Sequence, residues 1–211
     1  MAQIVSGDST LVLKVAAAPA NSAAVTMYGL DGRVVATQSK ATYSASASFT
    51  PVATPTDLIM ITGSATKIIR VVSLYVTTLN TAGGGSGTVF VLKRGVLNQG
   101  GTFVSATKVP HDSTDAASVA TAGHYTANPT TLGVTIATVN SVRMVIPATT
   151  PTSPGSNVEE AGIEFLPWSG GTFIDKLLTL NNVNESIVVN FNSVALLTGQ
   201  VHDYRITWTE E

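Results

Sequence analysis

The residues best equipped for chemistry stand together in Pro110-His111-Asp112-Ser113-Thr114-Asp115, with His124 further along. Two imidazoles and two carboxylates are the donor types of a divalent-metal site, and Asp112, His111 and Ser113 carry the groups of a nucleophilic triad. The spacing speaks against both. Triad members converge from separate segments, and neither a zinc nor an EF-hand pattern fits these positions. A capped turn is the expectation, with no catalytic, cofactor-binding or metal-ligating residue assigned.

Other candidates fare no better. Glu159-Glu160, Glu164 and Asp175 hold the carboxylates that glycoside hydrolysis uses in pairs, but no two are placed at a working separation. Trp168 beside Ser169-Gly170-Gly171, together with Tyr125 and Asn128, offers an aromatic platform for a sugar face. Thr81-Ala82-Gly83-Gly84-Gly85-Ser86-Gly87 lacks the Lys-Ser/Thr ending of a phosphate loop and reads as a flexible connection that holds no element. Asn184-Glu185-Ser186 fits the glycosylation acceptor pattern, which has no meaning without a secretory signal.

The elements that position these residues are strands. Thr56–Thr62 and Ile68–Val76 are dense in β-branched residues and are joined by a short polar turn, Gly63–Lys67. Each is apolar on both faces, which suggests central positions in a sheet, yet Arg70 and Ser73 interrupt opposite faces and leave the direction of the core open. Further strands are expected over Thr88–Arg94, Val134–Ile146, Ala161–Trp168, Phe173–Leu180 and Ser186–Phe191. Tyr204, Ile206 and Trp208 point inward from a final strand, with Asp203, Arg205 and Thr207 outward. Residues 40–56 read as a Ser/Thr/Ala stretch around Phe49 ending in a turn, and residues 102–130 as irregular, with one short helix between Asp112 and Ala122. About eight to ten strands with turn signals between them predict an all-β, antiparallel two-sheet sandwich of jelly-roll type.

The first forty residues read separately. Ala24–Leu30 meets Arg33–Thr37 across Asp31-Gly32, a hairpin signal because the turn needs positive φ at both central residues. The expected division is an N-terminal arm over 1–40 and a sandwich domain over 41–211.

Composition agrees with sheets and interfaces. Of 211 residues only 11% are charged and 44% are hydrophobic, against roughly 25% charged in an average soluble domain. Net charge is −2 and no Lys/Arg stripe is present, so nucleic acid is not an expected partner. There is no cysteine, hence no disulfide or thiolate site. Neither a signal peptide nor a long apolar run is legible, so a cytoplasmic origin without secretion or membrane insertion is expected.

Several segments carry a resemblance. Phe49-Thr50-Pro51-Val52-Ala53-Thr54-Pro55-Thr56-Asp57-Leu58, Ile61–Lys67, Lys93-Arg94, Val109–Ser113, Tyr125–Pro129 and the terminal Ile206-Thr207-Trp208-Thr209-Glu210 resemble virion-associated structural proteins of tailed bacteriophages. The likeness covers roughly residues 45–211. It implies a jelly-roll protomer that trimerises as a head decoration, head fibre or tail component, made in the host bacterial cytoplasm and located in the virion. The implied partners are further copies of the chain and the major capsid protein or other virion proteins. No catalytic residue comes with it. The alternative is a tail-associated module holding host glycans around Trp168 and Tyr125.

Overall fold

The computed structural model describes residues 14–15, 25–28, 34–36, 40–79, 85–146, 161–164, 178–196 and 199–211. The chain divides into two units, Met1–Lys40 and Ala41–Glu211. In the first, β1 (Lys14–Val15), β2 (Val25–Tyr28) and β3 (Val34–Ala36) form a three-stranded antiparallel sheet. Tyr28 pairs with Val34, so β2 and β3 form an antiparallel pair; the expected Asp31-Gly32 turn lies outside the described residues.

The second unit contains β4 (Ala41–Phe49), β5 (Asp57–Thr62), β6 (Ile69–Leu79), β7 (Gly85–Arg94), β8 (Thr102–Ser105), β9 (Lys108–Pro110), β10 (Ala122–Ala127), β11 (Thr135–Ile146), β12 (Ala161–Glu164), β13 (Leu178–Leu180), β14 (Ser186–Asn190) and β15 (Val201–Glu210). No helix occurs among the described residues. Four antiparallel pairings fold the chain back on itself as one long hairpin: β4 on β15, β5 on β14, β6 on β12 and β13, and β7 on β11. Rolling that hairpin brings β15 beside β6 and β14 beside β7. Two sheets result, β12-β6-β15-β4-β9 with β13 also on β6, and β11-β7-β14-β5-β10-β8. This connectivity is a jelly roll. The β8–β10 insertion widens both sheets on one side.

The core lies between the sheets. β15 alternates as its sequence indicates, with Tyr204, Ile206 and Trp208 buried against Tyr43, Leu74 and Val91 of the central cluster. β5 and β6 are both central strands, but the expected joined pair separates: β5 lies in one sheet and β6 in the other. Residues 63–68 carry the chain across, and a period-two pattern cannot distinguish a hairpin from such a crossing. The ambiguous faces of β6 have a local cause. A bulge opposite Thr207 and Trp208 moves the inward set from Ile69 and Val71 to Leu74, Val76 and Thr78, because one extra residue reverses the alternation beyond it.

Three further expectations are corrected. Residues 41–49 form a full strand, since Tyr43, Ala45 and Phe49 turn inward while Thr42, Ser44, Ser46 and Ser48 face out. The glycine-rich stretch does hold structure: Gly85, Ser86 and Gly87 pair with Ile146, Val145 and Met144, the ladder overriding weak strand propensity. Residues 102–130 contain β8, β9 and β10 rather than a helix. Asp112 instead closes a turn, accepting from the Thr114 N–H at 2.9 Å and its hydroxyl at 2.7 Å, the local competition that keeps Asp out of helix interiors.

Candidate functional site

The His/Asp cluster does not assemble. His111 and Asp112 are exposed after β9, and the Thr114 N–H and hydroxyl hold the Asp112 carboxyl below its usual range. His124 sits in the core on β10, stacked on Phe49 with centroids 4.0 Å apart and hydrogen-bonded through Nδ1 to the Tyr204 hydroxyl at 3.3 Å. Burial pushes its pKa down, which keeps it neutral at physiological pH. No group of three metal-ligating side chains occurs among the described residues.

The aromatic platform is also taken apart. Tyr125 is buried, packed edge-on to Phe103 with centroids 5.0 Å apart and beside Met60 and Val188 on the outer face of its sheet. Asn128 is committed to the backbone: its Oδ1 accepts from the Thr56 N–H at 3.0 Å and its Nδ2 donates to the Thr54 carbonyl at 2.9 Å. Trp168, Ser169, Gly170, Gly171, Glu159, Glu160 and Asp175 lie outside the described residues, and Glu164 is placed only as the end of β12. In the acceptor triplet Asn184 is exposed in a turn while Ser186 is buried in β14.

The buried carboxylates and the buried arginine are bonded within the fold, while Thr77, Ser186, Gln200, Thr209 and His202 Nε2 each keep a buried side-chain atom without a hydrogen-bond partner among the described residues. Glu210 accepts from the Ser118 hydroxyl, the Trp208 Nε1–H at 3.1 Å and the Val119 and Ala120 N–H groups, so the last strand fastens the insertion to the sandwich. Burial alone raises its pKa, but these hydrogen bonds together bring it below the usual range. His202 bonds through Nδ1 to Thr78 Oγ1 at 2.9 Å, and burial lowers its pKa to about 4. None of these groups is presented to a substrate.

What the surface offers instead is apolar. Among the described residues β11 pairs only with β7 and so stands at the edge of its sheet; two bulges, between Thr135 and Ala137 and between Thr138 and Asn140, break its ladder. Ile136, in the first bulge, is 57% exposed and the preceding Val134 is 65% exposed. The Gly95 N–H donates to the Val134 carbonyl at 2.8 Å, and Ile136 lies over the bare Cα of Gly95, where a Cβ would stand 2.8 Å from its Cδ1. Val96, itself exposed, backs onto Gly133. Val134 and Ile136 thus stand exposed on this edge with exposed Val96 in the facing segment, and Arg94 fixes the backbone beneath through Nη1, which donates to the Gly133 carbonyl at 2.9 Å. Sequence reading placed Val134 and Ile136 in a strand without assigning them a face, because the bulge that re-aims Ile136 leaves no periodic signal.

Compared with protein-family models, with curated proteins and with solved structures, the chain finds no match in any of the three.

Proposed function

We propose that this chain is a structural protein of a bacteriophage particle, a jelly-roll protomer that associates with further copies of itself as a trimer and with neighbouring virion proteins such as the major capsid protein. The observation that carries the reading is the exposure of Val134 and Ile136 at the β11 edge, with exposed Val96 in the facing segment. Exposed apolar side chains gathered at a strand edge favour association, and burial against another copy removes them from water. The broken ladder of β11 favours docking through side chains over addition of a strand. The rest of the chemistry fits a passive role, since the buried carboxylates and the buried arginine serve packing and caps. The phage setting comes from the segments that resemble virion proteins, and residues 1–40 serve as the anchoring arm, the part of the chain that forms its own unit.

Immunogold electron microscopy on phage particles, with antibody against this chain, tests the assignment. Gold distributed over the capsid is the expected result. Unlabelled particles overturn it, and gold confined to the tail tip replaces capsid decoration with a tail role.

A further inference from the structure

The outer face of the β6–β15 pair carries polar groups that the fold does not use. Arg205 stands directly opposite Tyr75, and Asp203 opposite Thr77. These four residues, with Tyr204, line a shallow depression that is open to solvent. Thr77 is only 3% exposed, yet its hydroxyl has no hydrogen-bond partner. A buried hydroxyl left dry is costly unless something completes it. Neither the Asp203 carboxylate nor the Arg205 guanidinium is engaged in a hydrogen bond or ion pair among the described residues, whereas Arg70 on the same face is clamped by Glu211. Tyr75 is 36% exposed, half sunk into the sheet with part of its ring open. Gly162, opposite Thr77 on β12, brings no side chain over the groove. Ser46 and Ser48 border its far side, opposite Arg205 and Asp203.

We propose that this groove binds a neutral saccharide. Asp203 and Arg205 offset one another in charge, and Glu164 stands opposite Tyr75 on β12, an arrangement that disfavours anions. Asp203 and Arg205 stand two residues apart on one face of β15, so hydroxyls spread along a pyranose can donate to the carboxylate while accepting from the guanidinium. The open part of the Tyr75 ring supplies an apolar surface for the C–H face of the sugar. An extended peptide is a poorer occupant, because peptides add to sheet edges and this site lies on a face whose backbone is already paired on both sides. The site shares no residue with the one expected around Trp168 and Tyr125, and it stands independently of the assembly role.

The test is retention of the full chain on immobilised dextran, galactan and mannan, with alginate as the anionic control. Binding to at least one neutral polymer, reversed by the matching methyl hexoside, is expected. Tyr75→Ala and Arg205→Ala, each checked for an unchanged unfolding temperature, should weaken it about tenfold, the scale of one lost aromatic or charge-assisted contact. Val109→Ser, elsewhere on the same sheet, should leave it intact. No retention on any neutral polymer, retention only on alginate, or binding indifferent to both substitutions in folded protein overturns the proposal.

Discussion

Asp57 and Arg94 form a bidentate ion pair across an intervening strand. Arg94 Nη2 lies 2.7 Å from Asp57 Oδ1 and Nε 3.1 Å from Oδ2, although β5 and β7 are separated by β14. The strand between them joins in: Asn190 of β14 donates to Asp57 Oδ1 at 2.6 Å, and Asn98 donates to Oδ2 at 2.9 Å. Both charged side chains are buried, so the pair has exchanged water for a complete set of partners.

Removing one partner should therefore be severe. Asp57→Ala leaves the Arg94 guanidinium buried without its counter-charge, and a loss of about 3–5 kcal/mol is expected. Asp57→Ala combined with Arg94→Met should lose less than the two single changes together, because the second removes the stranded charge. Urea unfolding of the three variants reads the coupling directly. Additive losses would mean that the two groups act independently.

The Asp57–Arg94 link also marks what sequence could and could not tell. β15 was legible because large inward residues alternate with polar ones. β4 has the same period, but Ala45 and Ala47 against Ser44 and Ser46 give it too little contrast to stand out. The jelly-roll class followed from strand number and turn spacing, whereas the separation of β5 and β6 depended on where residues 63–68 lead. Nothing in either strand encodes that. The groove was half visible: Asp203 and Arg205 were read as outward on β15, but Tyr75 and Thr77 join them only through the bulge in β6 that reverses its faces. His124 shows the opposite failure, its proximity in sequence to His111 suggesting a site where the fold supplies a core position.

Acid should weaken the protein first through His202. Its folded pKa of about 4 lies below the ordinary 6.5 because burial disfavours the imidazolium, only partly offset by neighbouring Asp203. Above 6.5 both folded and unfolded forms are neutral and stability is complete. As pH falls from 6.5 toward 4 the unfolded chain takes up a proton that the folded one refuses, and about 3 kcal/mol is lost at ~1.4 kcal/mol for each pH unit. His202→Gln, which cannot titrate, should flatten the decline of the urea midpoint over this range. His124, shifted in the same direction by burial, accounts for a further part of the slope. A decline as steep in His202→Gln as in the parent would refute this.

Glu210 acts in a lower window. Its pKa is held below the ordinary 4.5 because the bonds from Ser118, Trp208, Val119 and Ala120 outweigh its burial. The stability it contributes is present above 4.5 and disappears as pH falls through the lower folded value. Glu210→Gln should cost on the order of 3 kcal/mol at pH 7, since an amide cannot accept from all these donors. Its deficit relative to the parent should shrink once the parent's carboxyl is itself protonated. Hydrogen exchange gives an independent reading: the Val119 and Ala120 amides should lose protection in the variant while the β5 and β14 amides retain theirs.

The β11 edge gives the last prediction. Val134 and Ile136 are more than half exposed, so their replacement removes little from the folded protomer. A lysine at either position is a device natural edge strands use against association. Val134→Lys and Ile136→Lys should therefore leave the unfolding temperature nearly unchanged while weakening self-association. Full burial of such a side chain is worth about 1.5–3 kcal/mol, so each substitution should raise the dissociation constant roughly tenfold or more, and the double variant should run as a monomer under light scattering where the parent runs as a trimer. The bulges sharpen the test. Were the contact made by strand addition, the backbone of β11 would carry it and the side-chain changes would matter little; because the ladder is interrupted twice, contact must pass through the side chains that the first bulge turns outward. A parent that is already monomeric, or a double variant that still assembles, would remove β11 from the interface.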